Sequence, residues 1–481
     1  MVRGTFIYGF GSLLNRSIGF LLLPVFTHYL TPGDYGISAL VTVLTTLLGG
    51  FFTLGTGASV GLCYFETTDC DERAKVIWTT AALLLANCLL LTIVGFFFAP
   101  HLSRLMFGSR DADHLIRLSL ASLAISTVTM PFMAFLQLEE RAKTYVVLTT
   151  VSSVITILFS IVGVAYLRRG IVGMFEASLI GAIVLLLATV TTVSPRLKFG
   201  LNSNKIAPLV RIGFPSVFGL GAFFFIDWSD RILLDRFLGL NEVGIYSVGY
   251  SLGMVMFLAV GAFGSAWPPY FISFINKRDE AAVLFGGILK YYIIAYGTLA
   301  LVFFLMAKPV VILMTAQPFH STYKVVGLVA LSYMLKGCYL IILPGLVYEK
   351  KLYIQSGIEW AAAAVNLGLN FLLIPILRKE GAAIATLIAY LCLPVFTYFL
   401  SARYLPVQYE WKGIAKFAAG FVVLAVMSYV PLADTLLSSF AMGLLSLILY
   451  ALYVLYVTLS SRERAAVSTL LGTVKNRLLY S

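Results

Sequence analysis

The sequence predicts an all-α integral membrane protein of about fourteen spanning helices that form two related halves. Its composition is the first reason: hydrophobic residues are 60% of 481, charged residues are 12%, and the mean hydropathy is +0.94. A soluble protein of this length could not bury so much apolar surface in its core. The apolar residues also fall into stretches of about 20, the length that crosses the hydrocarbon core of a bilayer. Finally, residues of the first half of the chain recur in the second half at a constant offset: Arg3 matches Arg211, and Gly36 matches Gly244.

The apolar stretches give the predicted spans in chain order. They are centred near residues 18, 48, 87, 127, 156, 182, 222, 258, 297, 334, 366, 391, 421 and 447. The N-terminal stretch is predicted to be the first span and not a cleaved signal, because Asn15 and Arg16 interrupt its apolar run.

The repeat covers the first six predicted spans. Its further matched pairs are Phe6 and Phe214, Phe10 and Phe218, Gly11 and Gly219, Leu30 and Leu238, Ile37 and Ile245, Gly173 and Gly381, Ala177 and Ala385, Leu179 and Leu387, and Ile180 and Ile388. One offset that holds at both ends of a long segment indicates a duplication. Because each unit has an even number of spans, the two units are predicted to be parallel repeats, related by an axis along the membrane normal.

The repeat also sets the predicted domain boundaries. An N-lobe with spans 1–6 covers residues 1–195, and a C-lobe with spans 7–12 covers residues 205–403. Two additional spans occupy residues 404–460. The segment 461–481 alternates basic and apolar residues, which predicts an amphipathic helix on the cytoplasmic surface, with a frayed tail as the alternative.

The net charge of +12 is explained by topology and does not indicate a nucleic-acid partner. One set of alternate loops carries roughly twice as many Lys and Arg residues as the other, which places both termini in the cytoplasm. The excess also favours contact with anionic membrane lipids. The five cysteines and four histidines show no metal-site spacing, so no metal or other cofactor is expected.

Four motifs, in order, resemble those of bacterial polysaccharide flippases of the Wzx type, in the MATE/MOP exporter superfamily. The segment 21–40 reads LLLPVFTHYLTPGDYGISAL, and the seventh span carries Ser229-Asp230-Arg231 followed by Val243-Gly244-Ile245-Tyr246-Ser247. The eighth span ends in Trp267-Pro268-Pro269. Residues 360–390 carry Asn366 and Asn370, then Ile374-Pro375 and Gly381-Ala382-Ala383.

The resemblance implies two six-helix bundles around a central cavity in the bacterial inner membrane. Proteins of this type move undecaprenyl-pyrophosphate-linked oligosaccharide from the cytoplasmic to the periplasmic leaflet by alternating access, and they are not enzymes. The implied partners are this lipid-linked substrate, membrane lipids, and polysaccharide polymerase and chain-length proteins. Fourteen spans, two more than the duplicated twelve, resemble the lipid II flippases of the same superfamily.

Charged residues inside the predicted spans are the candidate site, because a charge at bilayer depth costs at least about 2.5–3.5 kcal/mol and usually faces protein or water. The candidates for binding the pyrophosphate are the cationic or polar residues Arg16, His28, Arg231, Arg236 and Lys336. The candidates for H⁺ or Na⁺ coupling, or for charge balance, are Glu176, Asp227, Asp230, Asp235 and Glu359.

Structural interpretations stand beside these functional ones. Asp227, Arg231 and Asp235 are four residues apart and could form a self-neutralising ladder along one helix face. Arg16 could pair with Asp227 or Asp230 from another helix. Lys336, between Tyr333 and Tyr339, could belong to a sugar-facing stripe or to an interfacial anchor. Glu176 and Glu359 could instead be solvated at helix ends.

Two other functions share parts of this pattern. A drug or cation antiporter of the same superfamily would need an acidic cavity, yet helix one offers Arg16 and no carboxylate before Asp34. A membrane glycan polymerase or ligase would need a large outer loop, and the outer loops here are short. No nucleotide-binding loop of the G-x-x-x-x-G-K type occurs, so ATP is not the predicted direct driver.

Overall fold

The computed structural model describes residues 22–109, 111–219, 221–430 and 435–465. The first predicted span, with Arg16, lies outside the described residues, as does the tail beyond residue 465. The described α-helices are α1 Leu23–Tyr29, α2 Pro32–Thr53, α3 Thr56–Phe65, α4 Cys70–Phe107, α5 Asp113–Leu138, α6 Ala142–Ile161, α7 Gly170–Val193, α8 Ile206–Gly219, α9 Gly221–Leu238, α10 Leu240–Gly253, α11 Val255–Ile272, α12 Arg278–Leu305, α13 Ala307–Met314, α14 Tyr323–Ile342, α15 Pro344–Tyr348, α16 Leu352–Ser401, α17 Trp411–Met427 and α18 Leu436–Tyr453.

The prediction of an all-α membrane fold is confirmed. Ten of the described helical segments are long and apolar enough to cross a membrane, and α8 with α9 form a bent pair that could serve as an eleventh. The 50-residue α16 contains a break at Arg378, where φ is 55° and ψ is −135°, so it joins two of the predicted spans. Helix α17, with 17 residues, matches the predicted thirteenth span. The count of fourteen stays a prediction because the first span is not described.

Local sequence explains where α2 begins, and the membrane environment explains why internal prolines do not end other helices. Thr31 and Asp34 form a capping box at the start of α2, in which the Thr31 amide donates to the Asp34 carboxylate at 2.8 Å. Prolines lie inside α4, α5, α8 and α11 without ending them. In a membrane, neighbouring helices can satisfy the backbone groups that an internal proline leaves unpaired.

The chain separates into two compact units. Of the described residues, the first unit contains those up to 248 together with the short segments 314–319 and 370–379. The second contains residues 249–313, 320–369 and the described residues from 380 onwards. The first unit has a buried core on α3, α4 and α5 that includes Tyr64, Ile77 and Leu136. In the second, most residues of α14 are buried, among them Val329, Tyr333 and Ile341.

Candidate functional site

The acidic and basic residues of α9 form a buried ion pair in the first unit. Asp230 is fully buried and Arg231 is 4% exposed. The Arg231 Nη1 lies 2.9 Å from Asp230 Oδ1, and it also donates to the backbone carbonyl of Asp227 at 2.6 Å. Tyr246, on α10, donates its hydroxyl hydrogen to the second oxygen of Asp230. The guanidinium carbon is 4.7 Å from the ring centroid of Trp228, a cation–π distance.

This ion pair joins chain neighbours, and the ladder along one helix face stays a prediction. The carboxylate that pairs with Arg231 belongs to its chain neighbour Asp230, and Asp227 contributes a main-chain oxygen. The charge of Arg231 is therefore balanced within the protein. Buried charges that are paired and hydrogen-bonded in this way can be held at bilayer depth without a ligand.

In the second unit, Lys336 lies among aromatic rings, a group we call the Lys336 cradle (Lys336, Phe257, Tyr333 and Tyr390). The Lys336 Nζ is 5.3 Å from the Phe257 ring centroid and 5.8 Å from that of Tyr390. Tyr333 and Tyr390 pack with ring centroids 5.7 Å apart. Tyr333 is also hydrogen-bonded to Tyr250, with 3.0 Å between the two hydroxyl oxygens.

The cradle joins side chains from three parts of the chain: α11, α14 and the second half of α16. Its tyrosines are buried, and Lys336 is partly exposed. An ammonium group over ring faces attracts anions, and aromatic faces with hydroxyl groups suit sugar rings. The cradle therefore has the chemistry to contact a phosphorylated sugar.

Tyr339, predicted to flank Lys336, belongs to a different group. Its hydroxyl donates to Glu359 Oε1 at 2.7 Å, and the amide of Gln355 donates to the same oxygen at 3.1 Å. Glu359 is 8% exposed. It is a buried carboxylate within an apolar helix and not a solvated group at a helix end.

The remaining described candidates lie at helix ends. Glu176 pairs with Arg169 at 2.7 Å near the start of α7, and both side chains are partly exposed. His28 is exposed and hydrogen-bonded to the Pro24 carbonyl at 2.7 Å. Arg236 and Asp235 lie in the last turn of α9. Arg236 is exposed and donates to the Leu105 carbonyl at 2.9 Å. Asp235 is half-buried beside it.

The starts of α2 and α10, equivalent in the repeat, pack directly against each other in the first unit. A Cβ added to Gly36 would overlap the carbonyl oxygen of Leu240, and one added to Gly244 would overlap that of Pro32. Leu240 is the repeat equivalent of Pro32, so the two contacts are reciprocal. We call this contact the glycine crossing (Gly36 and Gly244 against the opposite helix starts). Reciprocal contacts of this kind mark a two-fold relationship, and small residues allow such close backbone approach.

Sequence reasoning missed four side chains of these groups: Trp228, Tyr246, Phe257 and Tyr390. Tyr246 stands in the Val-Gly-Ile-Tyr-Ser motif that identified the family resemblance, so the motif did carry a signal. Phe257 and Tyr390 are ordinary aromatic residues of apolar helices, and only tertiary packing brings them to Lys336.

The fold, with charged groups inside its apolar helices, defines a multi-pass all-α membrane protein. The model of a family described as "Polysaccharide biosynthesis protein" matches residues 1–275, more than half of the chain, and the chain belongs to this family. The resemblance inferred from the sequence motifs is thereby confirmed.

Two curated relatives are named for transport. The chain is 23% identical over 339 residues to the succinoglycan biosynthesis transport protein ExoT of Rhizobium meliloti, a match that covers 67% of this chain and 64% of the relative. It is 22% identical over 296 residues to the EPS I polysaccharide export inner membrane protein EpsE of Ralstonia nicotianae, covering 58% of this chain and 67% of the relative. The chain therefore spans about two thirds of the length of each of these relatives.

Solved structures show the same fold at low sequence identity. The lipid II flippase MurJ, in an inward closed conformation, matches with a TM-score of 0.72 and 15% identity over 93% of this chain and 98% of its own. An inward-facing multidrug resistance MATE family transporter of the MOP superfamily matches with a TM-score of 0.67 and 15% identity, over 82% and 94%.

Proposed function

We propose that the protein is a flippase of the bacterial inner membrane that moves undecaprenyl-pyrophosphate-linked oligosaccharide from the cytoplasmic to the periplasmic leaflet. Both termini would lie in the cytoplasm. The lipid tail would stay in the bilayer while the charged head passes through the protein. Polysaccharide polymerase and chain-length proteins would use the product on the outer side.

The observation that carries the proposal is the Lys336 cradle. Lys336 places a positive charge, partly exposed, inside a predicted span, and such charges commonly mark the path of a charged substrate. The surrounding rings offer stacking faces for a sugar, and a diphosphate would supply the negative charge that matches the ammonium group. A cation-exporting protein would place a carboxylate in such a position.

Charge balance suggests how transport would be driven. Moving each negative charge outward gains about 2.3 kcal/mol per 100 mV of inside-negative potential. The membrane potential can therefore drive export of a diphosphate without ATP. Arg16 would add a second cation on the first span. Asp230 would serve Arg231 as a fixed counter-charge, and Glu359 would be the group available for H⁺ or Na⁺ coupling.

The glycine crossing supports alternating access. It brings together the starts of α2 and α10, one from each repeat, at the end that the charge distribution predicts to be periplasmic. The segment 314–319 adds two contacts there: the Ala316 amide donates to Thr27 Oγ1 at 3.2 Å, and Phe319 packs edge-on to Tyr35 at 5.2 Å. An outward opening would have to separate these contacts, and backbone contacts through glycine can part without breaking buried ion pairs.

A reconstituted flipping assay tests the proposal. Vesicles would contain the purified protein and a fluorescent undecaprenyl-diphosphate glycan, and an impermeant quencher would report the label that reaches the outer leaflet. We expect flipping by the wild type and at least about a tenfold slower rate for Lys336→Gln, equivalent to about 1.4 kcal/mol. Lys336→Arg keeps the charge and should retain most of the rate.

Lys308→Gln is the matched control, because Lys308 is another partly exposed lysine of the second unit. Its rate should stay within about twofold of the wild type, a difference of less than about 0.5 kcal/mol. A wild-type rate for Lys336→Gln would remove the cradle from the pathway. A wild type that exports organic cations and leaves the glycan lipid in place would replace the flippase proposal with an antiporter.

A further inference from the structure

An apolar groove opens on the second unit between the two halves of α16. The chain reverses at Arg378, so the first turns of α16 lie beside its last turns. Asn366 and Thr386 face each other across this hairpin, with 3.5 Å between the amide nitrogen and the hydroxyl oxygen. The groove has a volume of about 370 Å³, and the residues that line it include Ile354, Gly357, Ala361, Phe396, Phe399 and Leu400.

Gly357 keeps the groove open. A Cβ added there would meet no atom within 4 Å, so nothing in the described structure fills the space above it. The neighbouring apolar side chains are also uncovered: Phe399 is 65% exposed and Trp360 is 44% exposed. An apolar groove on a membrane-spanning hairpin fits a hydrocarbon chain.

One end of the groove is positively charged. Lys351 lies one helical turn before Ile354, and Arg403 lies one turn after Leu400. The Lys351 ammonium donates to the Tyr404 hydroxyl at 2.9 Å, which confirms that the two ends of the hairpin meet there. Lys350 is exposed beside them.

The acidic residue nearest to this cluster along the chain is already engaged. Glu349 pairs with Arg278 at 2.7 Å. The mouth of the groove therefore keeps an excess of positive charge. Basic residues near the surface attract anionic lipid headgroups by about 1 kcal/mol each, and this end is the one that the charge distribution predicts to be cytoplasmic.

We propose that the groove binds one acyl chain of an anionic phospholipid of the inner leaflet, with its phosphate against Lys350 and Arg403. The chain lies over Gly357 between the two halves of α16. The site requires a membrane and not a transported substrate, so it stands independently of the flippase proposal.

Thermal stabilisation of the detergent-purified protein by added lipid tests this site. Dioleoyl-phosphatidylglycerol should raise the midpoint of unfolding more than dioleoyl-phosphatidylcholine does. Gly357→Leu fills the groove. The variant should need at least ten times more phosphatidylglycerol than the wild type for the same rise in the unfolding midpoint. Gly368→Leu is the matched control: Gly368 is on the same helix, is also open to its surroundings, and gains the same helix propensity.

A second variant does not alter the groove itself. Lys350→Gln with Arg403→Gln changes two exposed side chains and should abolish the preference for phosphatidylglycerol over phosphatidylcholine. Equal lipid responses of Gly357→Leu and Gly368→Leu would overturn the proposal, as would no headgroup preference in the wild type. Displacement of phosphatidylglycerol by an equal concentration of undecaprenyl phosphate would identify the occupant as a polyprenyl chain and would also overturn it.

Discussion

Replacing Arg231 by Gln should destabilise the protein strongly, because it leaves Asp230 as an unpaired buried carboxylate. Asp230 is fully buried, so removal of the Arg231 guanidinium leaves only neutral hydrogen bonds, from the Tyr246 hydroxyl and the backbone amide of residue 231, to stabilise the charge. Breaking a buried ion pair by removing one partner costs about 3–5 kcal/mol. The same substitution also removes the cation–π contact between Arg231 and Trp228. We add no separate energy for this contact, because the losses of two interactions made by one side chain are not additive.

The measurement is unfolding of the purified protein in mixed micelles as the denaturing detergent fraction is increased, followed by circular dichroism. Arg231→Gln should lower the free energy of unfolding by about 4 kcal/mol. The control is Arg236→Gln on the same helix, which removes an exposed side chain and should cost less than about 1 kcal/mol.

A double-variant cycle separates the pair from other effects. Asp230→Asn alone should cost a similar amount, because it removes the buried carboxylate that pairs with Arg231. The double variant Asp230→Asn with Arg231→Gln should be more stable than the sum of the two losses predicts, by about 2 kcal/mol or more. Additive losses, or an Arg231→Gln variant as stable as Arg236→Gln, would refute the assignment of a mutually dependent buried pair.

Two further predictions follow from close packing and from titration in the second unit. Gly337→Ala should lower the free energy of unfolding by about 1–3 kcal/mol, because the added Cβ would overlap the hydroxyl of the buried Tyr292. Gly287→Ala is the control: its Cβ would meet open space, so the variant should be neutral or stabilising in the same detergent-unfolding measurement. For Glu463, burial alone would raise the pKa, but hydrogen bonds from Lys290 and Ser460 outweigh it and lower the pKa from 4.5 to about 2. Its stabilising effect should be complete above pH 4.5 and be lost as the pH falls towards 2, and Glu463→Gln should lose less stability over this interval; an identical pH profile would contradict the prediction.

The duplication could be predicted from the sequence because identical residues recur at one common offset. Gly36 and Gly244 match at the common offset, and the structure brings both into the reciprocal crossing. Most of the described spans could be located because a long apolar stretch is the main sequence signal of a spanning helix. The division of α16 at Arg378 also followed, since two apolar stretches flank a short polar segment there.

The charge partners were harder to predict because they depend on rotamers and on distant contacts. Residues four apart on a helix are favourable pairs, yet Arg231 turns to its neighbour Asp230, which Tyr246 holds from the next helix. Likewise Tyr339 lies one turn from Lys336 but points to Glu359. Helical spacing indicates which residues share a face, and packing against other helices decides which of them meet.

A cross-link across the repeat axis tests alternating access most directly. Gly33 and Asn241 are repeat equivalents next to the glycine crossing, and a Cβ on Gly33 would lie 3.1 Å from Asn241 Oδ1. Gly33→Cys with Asn241→Cys, in a variant whose five native cysteines are replaced, should form a disulfide on oxidation. If transport requires these helix starts to separate, flipping of the glycan lipid should stop on oxidation and return on reduction. Flipping at the full rate with the disulfide formed would contradict this requirement.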